Sequence, residues 1–122
     1  MLSLIVADYL YERFPSENEG FLTRMRSKIV NGVMLAELSS FLGIGRHVLI
    51  SRQIEENDGR KNKKILEDCF EAFLGAIYLS TSFEKAKIWF VSFLEASVDV
   101  TELVMTQNNN KDMLAKYMQV RR

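Results

Sequence analysis

The run Lys64-Ile-Leu-Glu-Asp68-Cys-Phe-Glu71-Ala-Phe-Leu-Gly75-Ala-Ile-Tyr-Leu79 decides the fold. It is almost wholly apolar, and a helix that is apolar nearly all round is a central one, packed on most sides. Its first half nevertheless carries Glu67, Asp68 and Glu71. At about 100° per residue these three carboxylates fall within an arc of roughly 100°. Asp68 and Glu71, at i and i+3, are direct neighbours on that face. Carboxylates in buried surroundings are expensive unless they are paired or bind a cation. The pattern therefore admits two readings. One is an acidic window for a hard divalent cation held through oxygen ligands. The other is a short solvated strip near a helix start, where acidic groups suit the helix dipole.

The same kind of periodicity extends outward from this helix. Residues 1 to about 14 form a first helix, closed before Pro15. A polar turn at 16–20 leads to a second helix from about Phe21 to Val30. A third runs from about Gly32 to Leu42, with Gly43 as its stop. Ile44 to Ile50 reads as a short helix or an extended segment, and Ser51 to Lys63 as a polar loop. The central helix covers about 63–80. Ser82 caps the next helix, which carries Phe83, Ala86, Trp89, Phe90, Phe93 and Leu94. A short helix follows near Val100 to Met105, then a polar linker at 106–110. Every element is helical, so the expected fold class is all-α.

With 122 residues, 48% of them hydrophobic, the chain suits one domain with a real core. The 16 basic and 16 acidic residues cancel, so nucleic-acid binding would have to come from local patches. One cysteine, Cys69, excludes an intramolecular disulfide and a cysteine-based zinc cluster, and gives no sign of an oxidising compartment. The apolar start, Met1 to Ala7, is interrupted by Asp8. It is too short to span a membrane and does not read as a signal peptide. Its first turn is fully apolar and uncapped, as if the chain began inside an element.

Three segments together resemble the ribonuclease III catalytic domain. The first is Val6-Ala-Asp-Tyr-Leu-Tyr-Glu-Arg-Phe-Pro15 with Glu19-Gly20-Phe-Leu-Thr-Arg24-Met-Arg-Ser-Lys-Ile-Val-Asn31. The second is Leu35-Ala-Glu-Leu38 with Leu42-Gly-Ile-Gly45. The third, and most specific, is the Asp-x-x-Glu-Ala-x-x-Gly-Ala-x-Tyr pattern of Asp68 to Tyr78. The resemblance implies an all-helical endonuclease that works as a homodimer inside the cell, in the cytoplasm. It implies cleavage of both strands of double-stranded RNA, with magnesium held by carboxylates and manganese able to substitute. Asp68 and Glu71 match two of the family's four metal-site carboxylates. Asp68 would be a metal ligand, and Glu71 a ligand and catalytic residue. Glu19 matches a further acidic position, and Glu67 has no matching role.

The chain also departs from the family's pattern. The signature segment Glu-x-Leu-Glu-Phe-Leu-Gly-Asp-Ala-Val-Leu aligns with Met1-Leu2 only at its last residues. The other two carboxylates, and much of the dimer contact, are then expected upstream of Met1, and activity of this chain alone is expected to be impaired. Residues 1–105 would be a catalytic domain lacking its signature segment. Residues 106–122 would be a linker and the first helix of a double-stranded RNA-binding domain. A plain amphipathic tail, docked through Met113, Leu114 and Tyr117, is the other reading of that end.

Arg60, Lys61, Lys63 and Lys64 make the densest basic run, just before the carboxylate helix. Positive charge at a helix N-terminus opposes the dipole. RNA phosphate contact would explain it, because backbone neutralisation supplies much of nucleic-acid affinity. A solvated loop is the alternative for any one lysine. His47 has no catalytic partner nearby in sequence. Two functions follow: a magnesium-dependent endoribonuclease, or a non-catalytic relative serving RNA binding, dimerisation or ribonucleoprotein assembly.

Overall fold

A computed structural model describes residues 1–105; the expected linker and RNA-binding helix lie outside the described residues. Helix α1 spans Leu2–Arg13 and buries Leu2, Ile5, Val6, Tyr9 and Leu10, the stripe of an amphipathic helix. Helix α2 is Glu19–Ile29, and begins two residues earlier than expected because Asn18 is its cap. Helix α3 is Gly32–Leu42. Asn31 joins α2 to α3 with one side chain. Its amide donates to the Ser27 and Lys28 carbonyls, both at 2.9 Å, and its oxygen accepts from Met34 N at 2.9 Å. Gly43 ends α3 in the left-handed region at φ 72°, where glycine carries no Cβ penalty.

The expected polar loop is more ordered than its composition implied. After a 3-10 turn at Ile44–His47, Ser51 caps a short helix α4, Arg52–Glu56, and a second 3-10 turn covers Gly59–Lys61. Two glycines here are required by close approach. A Cβ on Gly45 would stand 2.6 Å from the Arg60 carbonyl oxygen. A Cβ on Gly59 would stand 2.1 Å from Ile54 Cγ2 and 2.7 Å from its carbonyl oxygen. Gly59→Ala is expected to lower stability by roughly 1–3 kcal/mol, the usual cost of forced overpacking. A fall in the urea midpoint with an unchanged slope is the measurement that checks it.

Asn62 caps α5, Lys63–Ser80, through Ile65 N at 3.1 Å. Ser82 caps α6, Phe83–Ser97, and α7 spans Val100–Met105. The core is one cluster in which Phe70 and Leu74 of α5 meet Ile5 and Leu10 of α1, Leu38 of α3, and Phe90 and Leu94 of α6. Ion pairs brace the outside. Lys87 of α6 reaches Asp8 at 2.7 Å and Glu12 at 2.9 Å on α1. Arg13 reaches Glu95 at 3.1 Å and Thr101 at 3.1 Å. Among the described residues the elements are helical, which makes the fold all-α, and no helix is long and apolar enough to cross a membrane.

One expectation needs correcting. α5 is not packed on most sides. It buries a single stripe, Leu66, Phe70 and Leu74, against α3 and α6. Phe73, Tyr78 and Leu79 remain exposed, Leu79 at 83%. An apolar composition shows that a face needs a cover, but not that the same chain supplies it.

Candidate active site on the carboxylate helix

The capped start of α5 sets the register of its polar groups. Lys63 and Lys64 occupy the first turn, and Asp68 and Glu71 follow on the outward face. Asp68 is 58% exposed and Glu71 is exposed. Glu71 lines a cleft of about 300 Å³ with Ser3 and Val30, beside the first residues of α1. Lys64 Nζ lies 3.1 Å from an Asp68 oxygen and 3.9 Å from Glu67. Its hydrogen bond to Asp68, then the nearby charges of Asp68, Glu67 and Glu71, hold the Lys64 ammonium above its usual pKa.

Glu67 also reaches a neighbouring helix. Its carboxylate lies over Gly32, where an added Cβ would stand 2.8 Å from Glu67 Oε2. Gly32 is the first residue of α3, so the charge sits at the positive end of that helix. Sequence reasoning left Glu67 without a role; the structure makes it a contact between α3 and α5. Glu19 lies exposed in the first turn of α2. Among the described residues no three or more His, Cys, Asp or Glu side chains converge as a metal centre, so Glu19 does not complete the pair.

The pair's chemistry still suits a hard cation. Both donors are carboxylates with solvent access, and a cation already stands against one of them in the form of Lys64. Magnesium typically keeps several waters and binds through one or two carboxylates. Asp68 and Glu71 thus fit an open, water-rich site.

The basic run divides. Lys61, Lys63 and Lys64 are exposed. Arg60 is committed to the fold: it pairs with Glu55 and donates to the carbonyls of Gly45 at 2.9 Å and Val48 at 2.7 Å. Glu55 was the partner missed by sequence reasoning; its spacing five residues before Arg60 was the available signal. His47 is exposed. Cys69 is partly buried, and burial, with a contribution from the Asp68 charge, pushes its thiol above the ordinary range. Both effects act against the thiolate form. Trp89 is held in an aromatic cluster, stacked on Phe93 at 5.4 Å.

The model of the ribonuclease III domain matches residues 1–82. The chain belongs to the ribonuclease III domain family. The ribonuclease 3 of Aliarcobacter butzleri is 37% identical over 121 residues, covering 99% of this chain and 54% of the relative. A probable ribonuclease 3 of Acanthamoeba polyphaga mimivirus is 39% identical over 114 residues, 93% of this chain and 20% of the relative. A solved nuclease domain of ribonuclease III from Campylobacter jejuni, described for flexibility in a region involved in dimer formation, superposes with a TM-score of 0.74 at 36% identity. That match covers 77% of this chain and 66% of the other. The chain spans about half the length, or less, of the curated relatives it matches.

Proposed function

We propose that this chain is the nuclease part of an endoribonuclease that cleaves double-stranded RNA by metal-assisted phosphodiester hydrolysis, in RNA processing. The observation that carries the proposal is the exposed pair Asp68 and Glu71, side by side on a helix that otherwise supplies core. Asp68 would hold magnesium, or manganese in its place. Glu71 would share that ion and orient the attacking water from the cleft beside Ser3. A divalent ion bound there supplies charge stabilisation at phosphorus and a more acidic water. Lys61 and Lys63 would hold phosphates of the same duplex, at the start of the same helix. Residues 106–122 would lead into a double-stranded RNA-binding domain. The uncovered apolar surface of Tyr78 and Leu79 on α5, beside Leu4 of α1, supports a homodimer.

A second reading has one observation in its favour, the absence of a three-ligand centre among the described residues. It is a non-catalytic family member that binds RNA. Incubation with double-stranded RNA and magnesium separates the two, using the chain alone and the chain joined to a relative's signature segment. Magnesium-dependent fragments support the nuclease. Retention of intact RNA by both forms supports the second reading.

Lys64 yields a further expected result. It shields Asp68 as an exposed counter-ion, so it should compete with a divalent cation. Lys64→Ala is expected to tighten manganese binding by roughly twofold to fivefold, in keeping with the modest strength of exposed pairs. Isothermal titration measures it, and weaker binding by the variant would overturn the counter-ion role.

A further inference from the structure

The segment from Ile44 to Asn62 is knitted together before it hands the chain to α5. Arg60 is its centre. Nε donates to both Glu55 oxygens at 2.9 and 2.8 Å, and Nη2 pairs with Glu55 at 2.7 Å. Nη1 fastens the two carbonyls of Gly45 and Val48. A planar guanidinium with donors in a fixed fork can make such a set of bonds; an ammonium cannot. The backbone is closed tightly around it. Asp58 takes the left-handed conformation at φ 57°. Lys61 N bonds to Asp58 O at 3.0 Å and Asn62 N to Gly59 O at 3.1 Å, and Asn62 then caps α5. Lys61 and Lys63 flank that cap, exposed.

We propose that Arg60 is a positioning residue: latched by Glu55 and by the Gly45 and Val48 carbonyls, it is withheld from RNA and fixes Lys61 and Lys63 for phosphate contact. The proposal rests on the double-stranded RNA reading given above. Lysines on a slack loop must be ordered when they bind, and that entropy subtracts from affinity; a preformed arm avoids the loss. The Arg60 charge is already matched by Glu55, so at the cap of α5 the unmatched positive charge is that of Lys61 and Lys63. The hydrogen bond from Arg60 keeps the Glu55 carboxyl below its usual pKa, against the opposing effect of burial. The latch is therefore closed at neutral pH and opens only as pH falls below the usual carboxylate range.

Glu55→Ala gives opposite signs for the two roles Arg60 could play. Were Arg60 a phosphate contact, removing Glu55 would free a guanidinium and delete a repelling carboxylate, and binding would tighten. As a latch, its loss slackens the arm and binding weakens. We expect Glu55→Ala, Arg60→Ala and Arg60→Lys each to weaken binding to a short blunt double-stranded RNA by roughly threefold to tenfold, as for one or two lost phosphate contacts. Fluorescence anisotropy across a salt series measures this. The loss must vanish when the same changes are made in a Lys61→Ala, Lys63→Ala background, since a positioning residue acts only through what it positions. Faster amide exchange at Lys61 in Arg60→Lys reports the opened latch without RNA. Tighter binding by Glu55→Ala, additive losses in the lysine-free background, or unchanged affinity with only a lower melting temperature would each overturn the proposal. Failure of the unaltered chain to bind RNA at any salt overturns the RNA reading and the proposal with it. That result is distinct from failure of the latch alone, in which the unaltered chain binds and Arg60→Lys binds equally.

Discussion

Phe70→Ala is expected to remove about 3–5 kcal/mol of folding stability, the range for deleting a fully buried aromatic ring. Phe70 has no exposed surface. Its ring lies 6.0 Å from Phe90, 6.2 Å from Phe93 and 6.4 Å from Trp89, so it is the tooth of α5 that engages α6. Domain stabilities of roughly 5–15 kcal/mol leave little margin for such a loss. The effect should also reach the carboxylates, because Phe70 stands between Asp68 and Glu71 in the same turn. Urea unfolding followed by far-ultraviolet circular dichroism measures the loss. A change below about 1 kcal/mol would mean that the site collapses around the cavity far better than a close-packed core usually does.

Glu71→Gln is expected to have the opposite profile. Its side chain is exposed at the cleft, so the fold should change by no more than about 0.5 kcal/mol. The amide keeps the shape of the carboxylate but loses its charge and much of its affinity for a hard cation. Metal-ion stabilisation of developing charge is worth several kcal/mol, and each 1.36 kcal/mol is tenfold in rate. Cleavage of double-stranded RNA, in whichever form of the chain is active, should therefore fall about a hundredfold or more. Gel analysis of the cleavage products, with a thermal melt of the same sample, checks both halves. Unimpaired turnover would remove Glu71 from the catalytic role.

The elements that sequence specified well are those whose ends are written locally. Helix α3 begins and ends where Asn31 and Gly43 place it, because a cap and a left-handed stop involve only neighbouring residues. Helix α6 ran three residues past its last expected apolar position, to Ser97, as helix ends commonly do. Ser51 to Lys63 reads as a loop in sequence because its order depends on Arg60 contacts 12 and 15 residues away, which no local pattern displays. The same limit applies to charge. A basic run does not show whether its partner is a phosphate or an internal carboxylate, so Arg60 and Lys61 look alike in sequence and differ in the fold. Asp68 and Glu71 were legible because helical spacing alone puts them together. The Lys64 pairing was legible from the same spacing, at i and i+4, and was passed over in favour of phosphate contact. The contact of Glu67 with Gly32 could not be read, since the two lie 35 positions apart.

The aromatic seam between α5 and α6 has a spectroscopic consequence. Trp89 is the chain's sole indole. It stacks flat on Phe93 and meets Phe73 edge-on at 5.4 Å, and Phe73 belongs to the turn just beyond Glu71. Its emission therefore samples the carboxylate helix itself. A second copy covering Phe73 should move that emission to shorter wavelength as concentration rises. A cation that draws Asp68 and Glu71 together should alter its intensity at constant concentration, so one native fluorophore can separate assembly from metal loading without a label.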